Sequence, residues 1–216
     1  EGWHLFEEAV QAGVTIEKIF ALENYRDQLA SFPQTVWVSE DILLDLADSQ
    51  TPQGIVAVVQ KEEVGQADFS QGKFLFLEDV QDPGNVGTII RTADAAGFTG
   101  VIVSDKSADI YSLKTLRSMQ GSHFHLPIYR MSSQALFKGA KKAAIPVLAT
   151  TLSKDSVDYR ELPPIENFVL VMGNEGQGIS PLMAESADQL VHISMKGQAE
   201  SLNVAVAAGI LIFHLS

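Results

Sequence analysis

The sequence predicts an α/β fold in two parts, a small α/β unit followed by a larger one built on a mostly parallel sheet. Three observations carry that expectation. Short apolar segments of strand length alternate with segments of helical periodicity, the trace that parallel strands and crossover helices leave. A polar, glycine-bearing stretch, KEEVGQADFSQG over residues 61–72, breaks the alternation and reads as a linker between residues 1–60 and 73–216. The 216 residues are 46% apolar and 19% charged, enough to bury a core in each part.

In the first part Leu5, Phe6, Ala9 and Val10 fall at helical spacing. Residues 15–22, 35–38 and 54–59 read as strands, and Ser39 caps a helix over 40–47. After the linker, 73–77 is an apolar strand and 86–96 a helix stopped by Gly97. Strands follow at 100–103, 126–129 and 147–149, with a helix over 133–143 before the last. Residues 168–172 and 190–192 are further strands, and 202–215 is a long closing helix.

Composition excludes several function classes. Without cysteine there is no disulfide framework, thiolate nucleophile or cysteine-held metal, and no metal is expected. The longest apolar run, residues 204–213, is too short to cross a bilayer, and no basic-then-apolar leader opens the chain, so the expected compartment is the cytoplasm. A formal charge of −12 argues against coating nucleic acid by bulk charge. The exception is local. Residues 106–142 hold seven Lys/Arg against Asp109 alone, which fits either a solvated mixed face or a phosphate-facing surface.

Three segments of the second part carry unusual chemistry. In DPGNVGTIIRTA, residues 82–93, Pro83-Gly84 forces a turn and Asn85 is set to cap the following helix. Arg91 lies beside that helix's apolar stripe, where it can grip a phosphate or carboxylate bidentately. Taken alone, Arg91 reads more readily as an ion-pair partner of Glu78, Asp79 or Asp94. In GNEGQG, residues 173–178, three glycines after a buried strand let backbone approach a ligand, though a plain tight turn explains them equally. This is neither a phosphate-binding P-loop nor GxGxxG, and Glu175 within it would repel a phosphate. In the third segment, residues 192–207, Ser201 is set to cap a helix that lacks a polar face and so needs burial on several sides, most economically by a second copy of the chain. Capping alone also accounts for Ser201 and Asn203.

Together the three segments resemble the SpoU branch of the SPOUT RNA methyltransferases. The pattern N-x-G-x-x-x-R-T-A is met by Asn85, Gly87, Arg91, Thr92 and Ala93. G-x-E-x-x-G is met by Gly173, Glu175 and Gly178, and I-x-M-x-G-x-x-x-S-L-N by Ile193, Met195, Gly197, Ser201, Leu202 and Asn203. Ser194 departs from the proline usual there. The first part resembles the L30e/L7Ae-like substrate-binding module such enzymes carry, in relatives preceded by a Lys/Arg-rich start.

The resemblance implies a C-terminal trefoil knot and S-adenosylmethionine-dependent methylation of a ribose 2′-hydroxyl in RNA. Ribosomal RNA, 23S, is preferred over tRNA because of the extra domain. It implies cofactor contacts from Thr150, Leu152, Gly173, Gly178, Ile193, Met195 and Leu202. Catalysis and substrate binding would fall to Asn85, Arg91, Glu175, Ser201 and Asn203, and the protein would form a homodimer through its C-terminal domain. Two other readings compete. A non-catalytic RNA-binding module would not need the glycine loop, and a Rossmann-type nucleotide enzyme would need a phosphate fingerprint the chain lacks.

Overall fold

The computed structural model describes residues 1–61 and 63–216, so Glu62 of the expected linker lies outside the described residues. The chain divides into two compact units, Glu1–Glu63 and Val64–Ser216.

In the first unit, α1 (Trp3–Gln11), β1 (Ile16–Leu22), β2 (Thr35–Val38), α2 (Glu40–Leu46) and β3 (Ile55–Val59) follow the expected order. Three strands form a sheet ordered β2-β1-β3, with β1 parallel to β2 and antiparallel to β3. Ser39 caps α2 as its sequence suggests, its hydroxyl accepting from the amide of Ile42. Phe6, Ile19, Ala21, Leu29 and Ile55 form the core, with Trp3, Tyr25, Phe32 and Trp37 packed around it.

The second unit strings together β4 (Lys73–Leu77), α3 (Pro83–Ala95), β5 (Gly100–Val103), α4 (Leu113–Met119), β6 (Ile128–Arg130), α5 (Ser133–Ala143) and β7 (Val147–Thr150). It continues through β8 (Val157–Asp158), β9 (Phe168–Met172), α6 (Pro181–Ser186), β10 (Gln189–His192) and α7 (Val204–Leu215). The seven strands form one sheet in the order β6-β5-β4-β9-β7-β10-β8, and every pairing is parallel. Buried on both faces, β9 and most of β4 are continuously apolar, as parallel strands must be. Strands β9 and β10 are each inserted beside β7, so the last third of the chain returns between strands laid down before it. The loops leaving β7, β9 and β10 therefore gather at one carboxyl edge of the sheet, where ligands of open parallel sheets bind.

The helix starts differ from expectation. Helix α3 begins at Pro83 with Asp82 as its cap, the Asp82 carboxylate accepting from the Asn85 amide at 2.9 Å. Proline fits the first helical turn, where no amide is required; Asn85 is thus released from capping, and its side chain is available elsewhere. Helix α7 is capped by Asn203 and not by Ser201, the Asn203 side-chain oxygen accepting from the amides of Ala205 and Val206. Helices α4 and α6 and strand β8 were not foreseen, being two to seven residues long. The late part of the expected linker belongs to the second unit's core, since Phe69 is buried edge-on against Phe74.

The basic stretch does not form one face. Lys106 and Lys114 reach acidic groups near the carboxyl edge, Asp79 at 3.6 Å and Asp82 at 2.8 Å. Helix α5 runs back from the end of β6, so Lys141 and Lys142 in its last turn stand at the opposite edge.

Gly87 has a packing role. A Cβ there would lie 2.5 Å from Ser118 Cβ and 2.6 Å from the Thr115 carbonyl oxygen, because α4 lies directly on α3. Gly87→Ala should lower the unfolding free energy by about 1–3 kcal/mol through overpacking, read as a shifted denaturant midpoint. An unchanged midpoint would mean that the two helices can part without cost.

Candidate active site

A cavity of about 600 Å³ opens at the carboxyl edge, within the range of roughly 300–1,000 Å³ usual for small-molecule sites. Its walls come from the three loops that follow β7, β9 and β10 and from the start of α7. Thr150, Leu152, Gly173, Gly178, Ile193, Met195 and Leu202 all line it, as do Glu175 and Ser201. Asn85, Arg91 and Asn203 do not.

The glycine loop is folded on itself. Asn174 and Gly178 exchange backbone hydrogen bonds at 2.9 Å, and Gly178 takes φ +71°, a left-handed value that favours glycine. The Asn174 side-chain oxygen accepts from the amides of Gly176 and Gln177, while its side-chain amide donates to the Asp79 carbonyl at 2.8 Å. A Cβ on Gly173 would run into the backbone of Gly178 and Ile179. Only glycine lets the strand end pass this close, leaving backbone groups to face the cavity.

Glu175 turns toward the start of α3. Its carboxylate accepts from the amides of Gln81 (3.2 Å) and Asp82 (3.0 Å) and from the Asn85 side-chain amide (3.1 Å). The Asn85 carbonyl oxygen in turn accepts from the Asn203 side-chain amide at 3.1 Å. One hydrogen-bonded chain thus joins the glycine loop, α3 and the cap of α7. Partial burial alone would raise the Glu175 carboxyl, but the Asp82 amide, the Asn85 side chain and the amides of Glu175 and Gln81 outweigh it and hold the carboxyl below its usual value.

Arg91 is not part of this chain. It stands six residues beyond Asn85 on α3, about 9 Å along the axis, and its side chain is exposed. The acids that the sequence offered as its partners are engaged elsewhere. Glu78 accepts from Ser133 and Ser180, Asp79 from Ser104 while facing Lys106, and Asp94 faces His125. Among the described residues none pairs with Arg91, so its guanidinium is available to an external anion.

Sequence reasoning missed the brace behind the third loop. The Ser194 hydroxyl donates to Asp158, which also holds Arg160 at 2.7 and 2.8 Å. His192 lies between Ser156 (3.0 Å) and Ser194 (3.2 Å), tying the loop after β7 to the loop after β10. The Arg160 side chain, then Ser194, hold the Asp158 carboxyl far below the ordinary carboxylate range. The only sequence signal was a serine at position 194 where proline is usual.

The cavity's chemistry constrains its ligand. Among the described residues no lysine or arginine lines it, whereas Glu175 and Glu200 do. A phosphate-bearing nucleotide would find no counter-charge there, while a ligand carrying positive charge and apolar surface fits. Among the described residues no group of three or more His, Asp or Glu is arranged to hold a metal ion.

Residues 72–213 match the SpoU rRNA methylase family, and residues 1–57 match the MRM3-like substrate binding domain. The chain belongs to the SpoU rRNA methylase family. A Bacillus subtilis relative, the 23S rRNA (guanosine(2553)-2′-O)-methyltransferase RlmP, is 42% identical across all of this chain and 86% of its own length. The AdoMet-bound rRNA methyltransferase from Sinorhizobium meliloti superposes with a TM-score of 0.90 at 33% identity, covering 100% of this chain and 85% of that one. AviRb from Streptomyces viridochromogenes, in complex with AdoMet, gives 0.83 at 30% identity over 98% and 86%.

A lowered carboxyl pKa makes a signed prediction. Glu175 contributes stability that is present above its unfolded value of 4.5 and lost as pH falls through the lower folded value. The difference in thermal midpoint between the wild type and Glu175→Gln should be level from pH 5.5 to 8 and shrink only below about pH 4.5. A difference that vanished already near pH 6 would contradict the hydrogen-bond arrangement.

Proposed function

We propose that the chain transfers the methyl group of S-adenosylmethionine to a ribose 2′-hydroxyl of 23S ribosomal RNA. The observation that carries this reading is a cavity with a glycine-built backbone cradle and no basic lining, tied through Glu175 and Asn85 to the helix that carries the unclaimed Arg91. Family membership and the 42%-identical relative support the reaction and the ribosomal substrate.

When bound, the cofactor supplies a sulfonium methyl that is already strongly electrophilic, so the protein's task is alignment. Gly173 and Gly178 give the cofactor room against the backbone. Leu152, Ile193, Met195 and Leu202 cover its apolar parts, and Thr150, whose hydroxyl donates to the Val171 carbonyl, holds the first loop in place. Glu200 and Glu175 favour a cationic ligand over a phosphorylated one.

On the substrate side Arg91 binds an RNA phosphate and stabilises the negative charge that grows on the 2′-oxygen. It does not take the proton, because guanidinium stays protonated in proteins; the hydroxyl proton passes to solvent water, leaving the neutral thioether of the spent cofactor. Glu175, Asn85 and Asn203 hold the start of α3 against the glycine loop, which fixes the line of α3 and the root of Arg91. Ser201, at the cavity rim, hydrogen-bonds the ribose.

The active form is a homodimer, and this reading is supported by α7. Val206 and Phe213, seven residues apart on one face, are 52% and 59% exposed in the single chain. Two large apolar side chains in line on an apolar helix are best covered by an isologous contact. The reading places the protein in the cytoplasm, where ribosomal RNA is made, and no helix among the described residues is long and apolar enough to cross a membrane.

Mapping 2′-O-methyl marks in ribosomal and transfer RNA from cells lacking the protein tests the reaction: one mark in 23S RNA should disappear. Loss of a tRNA mark instead would overturn the substrate. Arg91→Ala should reduce methyl transfer at least a hundredfold while changing cofactor affinity less than threefold, since Arg91 does not line the cavity. Near-normal turnover by that variant would remove Arg91 from the mechanism. In sedimentation at micromolar concentration the chain should run at twice 23.4 kDa, and Phe213→Glu should convert it to a single-chain species. A wild type that sediments as one chain would refute the dimer.

A further inference from the structure

The N-terminal unit holds a cleft of about 470 Å³ lined by Trp3, Phe6, Glu7, Tyr25 and Gln28, which methyl transfer does not use. Its aromatic wall is fixed from behind. The Trp3 indole N–H donates to the Gln53 carbonyl at 3.0 Å, and the Trp3 amide donates to the Gln53 side chain at 3.1 Å. The Trp3 ring lies 4.8 Å from Tyr25 and edge-on to Phe6 at 5.9 Å. Gly54, at φ +85°, presses against the Tyr25 ring so closely that no side chain fits. Such a wall loses little entropy when a flat ligand stacks on it.

The rim is polar and unspent. Glu7 and Gln28 are exposed, and among the described residues neither side chain makes a hydrogen bond or ion pair. The unit as a whole is hostile to phosphate, since residues 1–63 carry twelve acidic side chains and three basic ones. A substrate-binding unit of this charge cannot hold RNA by its backbone. It must hold a base.

Resting on the RNA reading above, we propose that this cleft binds one unpaired guanine of the substrate RNA. The base stacks on the Trp3–Tyr25 wall, its Watson–Crick edge faces Glu7, and Gln28 donates to a ring acceptor. The carboxylate selects the base. An ionised carboxylate only accepts hydrogen bonds. Guanine alone places two donors, N1–H and N2–H, side by side, and so can satisfy both oxygens of Glu7. Adenine and cytosine each set a ring-nitrogen lone pair beside their amino group, and uracil flanks its one donor with two carbonyl oxygens. Each of these would point a lone pair at the carboxylate, which leaves charge unpaired and rejects the base.

The 216-residue chain offers a direct readout, because Trp3 and Trp37 are its two tryptophans. In a Trp37→Phe background, Trp3 emission should be quenched saturably by the pentaribonucleotide UUGUU and at least tenfold more weakly by UUAUU. Replacing the guanosine with inosine, which lacks the N2 donor, should weaken binding by about tenfold. Glu7→Gln should abolish the preference for UUGUU over UUAUU without shifting the thermal midpoint. With 23S RNA fragments, it should raise KM severalfold at unchanged kcat. Equal quenching by both oligonucleotides, or a guanine preference that survives Glu7→Gln, would overturn the proposal. If methyl transfer to 23S RNA fails while Trp3 still selects guanine, the reaction assignment falls and the base site stands.

Discussion

The Glu175 carboxylate is the tie on which the site depends. It stands within the glycine loop, and it binds that loop to the start of α3 and the residues just before it through three N–H donors. Because Asn85 passes the connection to Asn203, which caps α7, one carboxylate sets the loop, the helix carrying Arg91 and the helix closing the cavity. The partners come from residues 81–85, 175 and 203, so no single segment can hold the arrangement without the others. A negative charge in a loop that was expected to face ligand is thereby largely satisfied by the protein's own amides. What it still offers the cavity is a bias toward cations.

Electrostatics divide the protein into two strategies. The second unit keeps basic groups at the carboxyl edge, but Lys106 and Lys114 are already committed to Asp79 and Asp82. Arg91 stands out because every acid within the expected range is occupied by serine, lysine or histidine. In the first unit Arg26 is held by Glu23 while lying over Trp37. An acidic protein can act on RNA in this way if few cations are placed where they count and the rest of the contact is made with sugars and bases.

Much of this was legible in the sequence because it is local. Strands β4 and β9, the glycine loop and helix α7 announce themselves through runs of apolar residues and through glycine. The helix caps were misread where two candidates sat within three residues of each other. Asp82 outcompetes Asn85 because Pro83 can occupy the first turn, and Asn203 outcompetes Ser201 because Ser201 and Leu202 stay outside the helix to line the cavity. The brace of Asp158, Arg160, His192 and Ser194 was not legible, since its halves lie some 36 residues apart and meet only because β10 pairs with β8. The basic stretch stays open to two readings in the sequence because neighbours in the chain need not be neighbours in space, and α5 carries the last of its cations across the sheet.

The insertion of β10 between β7 and β8 has a consequence for synthesis. Every wall of the cavity except the loop after β7 is made by residues beyond 171, and one wall is the start of the final helix. A chain still emerging from the ribosome can complete its N-terminal unit and the β4–β6 side of the sheet, yet it holds no pocket for a cofactor until residues 172–211 are free. Methyl-transfer competence thus arrives only once residues 172–211 have joined the sheet, and a shorter nascent chain cannot sequester cofactor or modify RNA prematurely.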